Sequence, residues 1–143
     1  MYIFNNNHND KEITQALNKL VGKPFSLIDR FKQKGIGSRR IVVESFSPGL
    51  FHYFDDDNDL KKVNFELRPK GIIVYIKNKI NDYKWAIPYY ALHIYNTQTF
   101  SIHAHGNFLK FKQNEVFPYN QNFFDQVMSA RNLVMSTHSF IDR

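Results

Sequence analysis

The sequence contains no cysteine, which excludes disulfide bonds, thiolate metal sites and cysteine nucleophiles. It has no apolar run that approaches the roughly 18–20 residues that a membrane-spanning helix needs. The first ten residues lack both the cationic start and the apolar core of a secretory signal peptide. We therefore expect a soluble, cytoplasmic protein without a transmembrane segment.

Catalytic signatures are missing as well. The chain has no GxSxG elbow, no HExxH pair, and no P-loop or dinucleotide fingerprint. Its histidines have no orienting partner that the sequence places beside them. A non-enzymatic protein is therefore favoured over an enzyme, although these absences alone do not decide the question. No cofactor is predicted.

Lysine and arginine outnumber aspartate and glutamate by 19 to 13, so the net charge is +6. A positive field favours anionic partners such as nucleic acid, an anionic lipid surface or an acidic protein, but it also simply keeps proteins soluble. The 143 residues suffice for one buried core and are too few for two ordinary domains. Residues 1–143 are therefore interpreted as a single domain, whose oligomeric state is not predicted.

Residues 63–112 carry the strongest structural pattern. Short segments rich in β-branched and aromatic residues alternate there with turn residues, which predicts a meander of antiparallel strands. Two more strands are predicted at residues 41–46 and 50–54, on either side of a Ser-Pro-Gly turn.

Helices are predicted on both sides of these strands, after a loose lead-in over the first ten residues. An N-terminal helical segment, residues 10–35, contains one helix from the N-cap candidate Asn9 to Gly22 and a second over residues 27–34. A terminal helix over about residues 120–138 has an apolar face that can cover the strands. The predicted fold class is α+β. It is a strongly bent antiparallel sheet or partly open barrel of about seven strands, capped by the C-terminal helix and preceded by two helices.

This order of elements, together with the strand-to-turn run from Lys84 to Pro88, resembles the pleckstrin-homology-like (PH-like) fold in its small bacterial versions. The resemblance covers residues 39–143. It implies seven strands in a bent barrel closed by one C-terminal helix, and a lipid headgroup docked at the loop near the first strands. The two N-terminal helices and the lack of tryptophan in the terminal helix depart from the family pattern.

Four cations lie in a glycine-containing connection before the first predicted strand: Lys32, Lys34, Arg39 and Arg40. Accessible backbone amides and positive charge suit a phosphate or sulfate group. The PH-like resemblance points to the same loop. We predict an anion-binding site at these four residues; the alternative is an ordinary solvated connection.

Three histidines come together if one hairpin has a particular register. Pairing of residues 91–95 with residues 101–105 places His93 opposite His103, with His105 on the same side. Converging imidazoles can bind Zn²⁺ or Cu²⁺, so these three histidines are a predicted metal site. The alternative is an exposed polar sheet face.

The sequence favours a non-enzymatic binding module for an anionic headgroup or a protein partner. The alternative is a small ligand-binding or metal-assisted enzyme that uses the histidine-lined face. Nucleic-acid binding is favoured least, because strand alternation puts Tyr83 and Trp85 on one face, with Lys84 on the other, and predicts that both aromatic rings are in the core.

Overall fold

The computed structural model describes residues 1–5, 10–26, 36–57, 59–116 and 119–141, without the side chains of residue 115 and residues 137–141. In these ranges, nine strands form two antiparallel sheets. The strands are β1 (Tyr2–Asn5), β2 (Ile41–Val42), β3 (Ser45–Phe46), β4 (Lys62–Arg68), β5 (Gly71–Lys77), β6 (Asp82–Pro88), β7 (His93–Asn96), β8 (Thr99–Ala104) and β9 (Asn107–Lys112). The helices are α1 (Lys11–Val21), α2 (Gln113–Val116) and α3 (Gln121–Ile141). Short 3-10 turns cover Pro48–Tyr53 and Tyr89–Ala91.

The first sheet has the strand order β1-β6-β5-β4-β2. A tight turn between β4 and β5 places Arg68 opposite Gly71 and Val63 opposite Ile76. Gly71 is needed at this position, because a Cβ atom there would lie 2.4 Å from the carbonyl oxygen of Ile87. The turn therefore fixes the register of the two strands on which the candidate site is built.

The second sheet has the strand order β3-β9-β8-β7. One segment of chain contributes to both sheets, since β2 pairs with β4 and β3 pairs with β9. The change occurs between neighbouring residues. The N–H of Val43 donates to the carbonyl oxygen of Lys61 at 2.8 Å, and the N–H of Glu44 donates to that of Lys110 at 2.7 Å. The chain thus passes from one sheet to the other without a loop.

The main core combines buried side chains from both sheets and α3. Trp85, Phe65 and Phe111 are fully buried, as expected for inward positions of alternating strands. The ring of Phe124 in α3 lies 5.4 Å from that of Phe65 and 4.7 Å from that of Phe100, measured between centroids. The predictions that the terminal helix covers the strands and that Trp85 is in the core are confirmed.

α1 lies on the outer face of the first sheet, opposite the main core. At its start the side chain of Asp10 accepts a hydrogen bond from the N–H of Glu12 at 2.8 Å, one residue later than the predicted N-cap. At its end Gly22 has φ of 87°, a conformation that favours glycine. The helix and the sheet form a second buried apolar cluster: Leu17, Val21, Ile73 and Ala86. Within the described ranges, no helix is both long and apolar enough to cross a membrane.

The predicted fold class is wrong in its architecture. The strands form two sheets with nine strands, instead of one strongly bent sheet or partly open barrel of about seven, and the described strands do not close into a barrel. The expected loose lead-in contains β1. α1 is the one helix found before β2 in the described residues, and the second predicted helix, residues 27–34, lies outside them.

The physical reasons for these errors are local. The change of sheet at Val43 and Glu44 involves no glycine or proline, so the sequence pattern shows one strand where the chain has two. Residues 50–53 belong to a 3-10 turn instead of a strand, because Pro48 starts this turn with a backbone dihedral already suited to a helix. The α+β class, the antiparallel pairing and the C-terminal helix are confirmed.

Candidate functional site

A concave site lies on the outer face of the first sheet, on strands that α1 covers only in part. Because side chains alternate along a strand, Lys62 and Asn64 on β4 and Tyr75 and Lys77 on β5 point away from the main core. They line a cleft of about 380 Å³. The other lining residues are Arg40, Leu60, Ile76, Asp82 and Tyr83. We call this site the cationic cleft.

Three cations line the cationic cleft: Arg40, Lys62 and Lys77. The β4–β5 ladder ends at the pair formed by Val63 and Ile76, and continuing that register by one position puts Lys62 and Lys77 opposite each other. Like charges at opposed positions destabilise a sheet. Among the described residues, none of the three cationic side chains has a hydrogen bond or ion pair to the protein. These side chains are therefore available to a ligand.

The negative charge near the cleft is smaller than the positive charge. Asp82, the one carboxylate among the lining residues, stands opposite Lys77 in the β5–β6 register. Glu66 lies on the same outer face, but its carboxylate is occupied. Arg68 contacts one oxygen, and the hydroxyl of Tyr75 donates to the other at 2.6 Å. The cleft is thus positive overall and suits an anion.

Arg40 reaches the cleft because the sheet edge contains a β-bulge. Between the bridge that joins Gly37 to Glu66 and the pair formed by Ile41 and Val63, the edge segment has one residue more than β4. An extra residue of this kind bends the strand and changes the direction of the side chains around it. The bulge includes Arg39 and Arg40, so these two adjacent arginines have different surroundings.

The structure separates the predicted anion-binding residues. Arg40 lines the cleft, whereas Arg39 contacts the region where α3 begins. The N–H of Arg39 donates to Oδ1 of Asn120 at 2.8 Å, and its guanidinium carbon lies 5.0 Å from the ring centroid of Tyr119. The remaining two residues of the prediction, Lys32 and Lys34, lie outside the described residues.

Sequence reasoning missed Lys62, Asn64 and Lys77. A usable signal was present, because the tight turn between β4 and β5 fixes the register and alternation then assigns these side chains to one face. The residues are far apart in the sequence, and only strand pairing brings them together. Reading each strand by itself could not show that two lysines face each other.

Two of the three predicted metal-binding histidines come together. The predicted register is confirmed, since His93 faces His103. β8 ends at Ala104, and His105 follows in a turn with φ of 51°, where its ring packs edge-on against Tyr2 at 5.2 Å between centroids. In the part of the chain that the structure describes, no group of three or more His, Asp or Glu side chains is placed to hold a metal ion.

His103 is held in its uncharged form by its surroundings. Burial lowers its pKa below the ordinary 6.5, and electrostatic interactions with Lys110 and His93 lower it further. Its Nε2 atom lies 3.1 Å from Oγ of Ser101. At neutral pH the ring is therefore an uncharged aromatic surface on the second sheet.

An acidic loop, whose described residues are 55–57 and 59, lies beside the turn between β5 and β6. Asp57 contacts the Nζ atoms of Lys61 at 2.5 Å and of Lys79 at 3.1 Å. The hydrogen bonds to these two lysines lower the pKa of Asp57 to about 2. Asp55 accepts a hydrogen bond from the N–H of Lys79 at 3.2 Å. The loop is thus joined to the β5–β6 turn, and its carboxylates do not line the cationic cleft.

Comparisons with models of protein families, with curated proteins and with solved structures gave no match to this chain. The resemblance to the PH-like fold therefore stays a prediction, and no family is assigned. What the protein does is inferred below from the chemistry of its surfaces.

Proposed function

We propose that the protein is a non-enzymatic binding module for a ligand that carries a phosphate group. The main support is the grouping of Arg40, Lys62 and Lys77 around one cleft, with no hydrogen bond or ion pair from their side chains to any described residue. Two facing lysines lower the stability of the empty sheet. A bound anion offsets this repulsion, so ligand binding and folding favour each other at this position.

The cleft residues offer complementary contacts to a phosphate group. An arginine can donate to two phosphate oxygens at once, whereas lysines act as mobile point charges. The side-chain amide of Asn64, which also lines the cleft, can donate to the same group. The volume of about 380 Å³ lies at the lower end of the roughly 300–1,000 Å³ that is usual for small-ligand sites. A single phosphorylated small molecule or headgroup fits this space.

The phosphate group can come from a soluble molecule or from a lipid headgroup. Leu60 at the rim and Ile80 in the adjoining turn are 72% and 83% exposed, and such apolar tips favour a lipid surface. Asp56 and Asp59 are exposed in the acidic loop and would be repelled by an anionic bilayer. The apolar tips and the acidic loop have opposite effects on membrane binding. An experiment therefore has to distinguish a lipid headgroup from a soluble phosphorylated molecule.

Phosphate binding can be measured by calorimetric titration and by thermal unfolding in inorganic phosphate, with chloride at equal ionic strength as reference. We expect Arg40→Gln, Lys62→Gln and Lys77→Gln each to reduce both the affinity and the phosphate-dependent rise in Tm. Lys23→Gln is the matched control, because Lys23 is exposed, lies outside the cleft and carries the same charge. An equal loss in Lys23→Gln, or no phosphate binding by the unmodified protein, would contradict the proposal.

The second arm uses sedimentation with vesicles of phosphatidylcholine alone and with added phosphatidylserine or phosphoinositide. A lipid ligand predicts sedimentation with the anionic vesicles only, lost in Lys62→Gln and weakened in Ile80→Ser. A soluble ligand predicts phosphate-dependent stabilisation without sedimentation. Absence of both effects would show that the cleft does not bind phosphate.

A further inference from the structure

The outer face of the second sheet carries a continuous set of aromatic and basic side chains. The pairing of β7, β8 and β9 places His93, His103 and Phe108 in one row across the strands. The next row contains Tyr95 and Lys110, with Ser101 between them. We call these outward side chains the aromatic platform: His93, Tyr95, His103, Phe108 and Lys110.

The rings of the aromatic platform contact one another. Tyr95 packs edge-on against His103 with 5.0 Å between centroids, and His103 lies 5.7 Å from Phe108 with 35° between the ring planes. The Nζ atom of Lys110 lies 5.1 Å from the ring centroid of Phe108. Since Tyr95 is 53% exposed and His93 is exposed, a flat partner can reach this face.

The charge of the second sheet has one sign. Its four strands contain no aspartate or glutamate, whereas they contain two lysines and two histidines. Lys110 and Lys112 lie on the same outer face of β9, two residues apart. Glu44, which directly precedes β3, is a carboxylate next to this sheet in the chain. The platform therefore complements a partner that is both flat and anionic.

We propose that the aromatic platform binds single-stranded nucleic acid. A base stacks on the exposed ring of Tyr95, beside the half-buried ring of Phe108, and the phosphate backbone runs along Lys110 and Lys112. Stacking on aromatic side chains beside cations is the common chemistry of single-strand binding, and it is tolerant of sequence because every base has a flat π-face. This surface is separate from the cationic cleft, which lies on the other sheet, and the proposal does not depend on phosphate binding there.

The shape and polarity of the platform favour this ligand over the alternatives. A small molecule would require a cavity, and the face of a sheet is open. A protein partner typically meets a surface whose centre is apolar and depleted of charge, whereas here a lysine lies over an aromatic ring. Unpaired bases joined by phosphates match both the rings and the charges.

Fluorescence anisotropy with labelled 12-nucleotide oligo(U) and oligo(dT) at fixed salt tests the proposal. We expect saturable binding that Tyr95→Ala weakens by about 5-fold to 150-fold, the range that corresponds to the loss of one stacked base. Tyr95→Phe keeps the ring and should bind as the unmodified protein does. Lys110→Gln should reduce the slope of log affinity against log salt by about 0.7, the value for one contact to a single strand.

Matched controls separate stacking from a general effect of substitution. Tyr90→Ala removes a tyrosine that is 63% exposed outside the second sheet, and Lys23→Gln removes an exposed lysine outside it. Thermal unfolding checks that each variant is folded. The proposal is overturned if no oligonucleotide binds saturably, if Tyr95→Ala and Tyr90→Ala have equal effects, or if Tyr95→Phe loses as much as Tyr95→Ala. Sedimentation that shows a dimer of the unmodified protein and a monomer of Tyr95→Ala would also overturn it.

Discussion

The substitution Lys62→Gln is expected to have opposite effects on stability with and without phosphate. Lys62 is exposed, faces Lys77 across the sheet and has no described partner. Directly opposed like charges cost up to about 1 kcal/mol, and 1 kcal/mol corresponds to about 2–4 °C in Tm for a domain of this size. In chloride we therefore expect the variant to melt about 1–3 °C above the unmodified protein.

In phosphate the order of the two proteins should reverse. A ligand present at 100 times its Kd stabilises the folded state by about 2.7 kcal/mol. The variant lacks a charge-assisted hydrogen bond worth about 1.5–3 kcal/mol, so it binds phosphate more weakly and gains less at the same concentration. We therefore expect the unmodified protein to melt several degrees above the variant in phosphate. The difference in Tm reaches about 5 °C if the variant does not bind phosphate at all.

Scanning calorimetry in both anions measures this reversal. Phosphate is excluded from protein surfaces and stabilises folded proteins in general, so the quantity to compare is the difference between variants in each anion. The Tm of Lys23→Gln should differ from that of the unmodified protein by the same amount in chloride and in phosphate. In chloride, the effects of Lys62→Gln and Lys77→Gln should not add in the double variant, because either substitution alone removes the repulsion between the two lysines. A Tm below that of the unmodified protein in chloride, or an equal difference in both anions, would refute the reasoning.

Three further substitutions test the supporting structure. Tyr75→Phe removes the hydroxyl that donates to Glu66 at 2.6 Å. We expect the free energy of unfolding in urea to fall by about 1–2 kcal/mol. An unchanged free energy would show that this hydrogen bond does not stabilise the fold. Gly71→Ala should lower the free energy of unfolding by about 3 kcal/mol, because the new Cβ would lie 2.4 Å from the carbonyl oxygen of Ile87. An unchanged urea midpoint would show that the backbone at Ile87 leaves room for a Cβ atom at residue 71. Since the folded state lowers the pKa of His103 below 6.5, the unfolded chain binds more protons at acid pH, and stability should fall as pH drops through about 6.5. In His103→Asn the loss of stability at acid pH should be smaller. An NMR titration that gives His103 a pKa above 6.5 would contradict this prediction, because the folded state would then bind the proton more tightly than the unfolded chain.

The β7–β8 hairpin was predictable because both strands alternate clearly. Ile94 and Ile102 face each other on the inner side, which fixes His93 and His103 on the outer face. The same reasoning applied to β4 and β5 would have placed Lys62 opposite another lysine. The aromatic platform also follows from alternation, but it needs the pairing of three strands instead of two.

Long-range contacts determined what the sequence could not show. The chain changes sheet at Val43 and Glu44 because two distant segments supply the carbonyl oxygens of Lys61 and Lys110. β1 is short, and among the described strands it pairs with β6 alone. Long-range pairing also gives Arg39 and Arg40 different surroundings. The bulge that directs Arg40 into the cleft exists because the edge segment pairs with β4 on both sides of it.

α1 determines which part of the first sheet's outer face stays uncovered. Ile73 and Ala86 are apolar, and the buried side chains of α1 remove them from water. Tyr75 lies at the boundary, since its ring packs against this cluster while it also lines the cleft. An apolar helix could not cover Lys62 and Lys77, because burial of unpaired ammonium groups costs several kcal/mol each. The cationic cleft is therefore open where the apolar residues of the face end, and its position follows from the composition of β4 and β5.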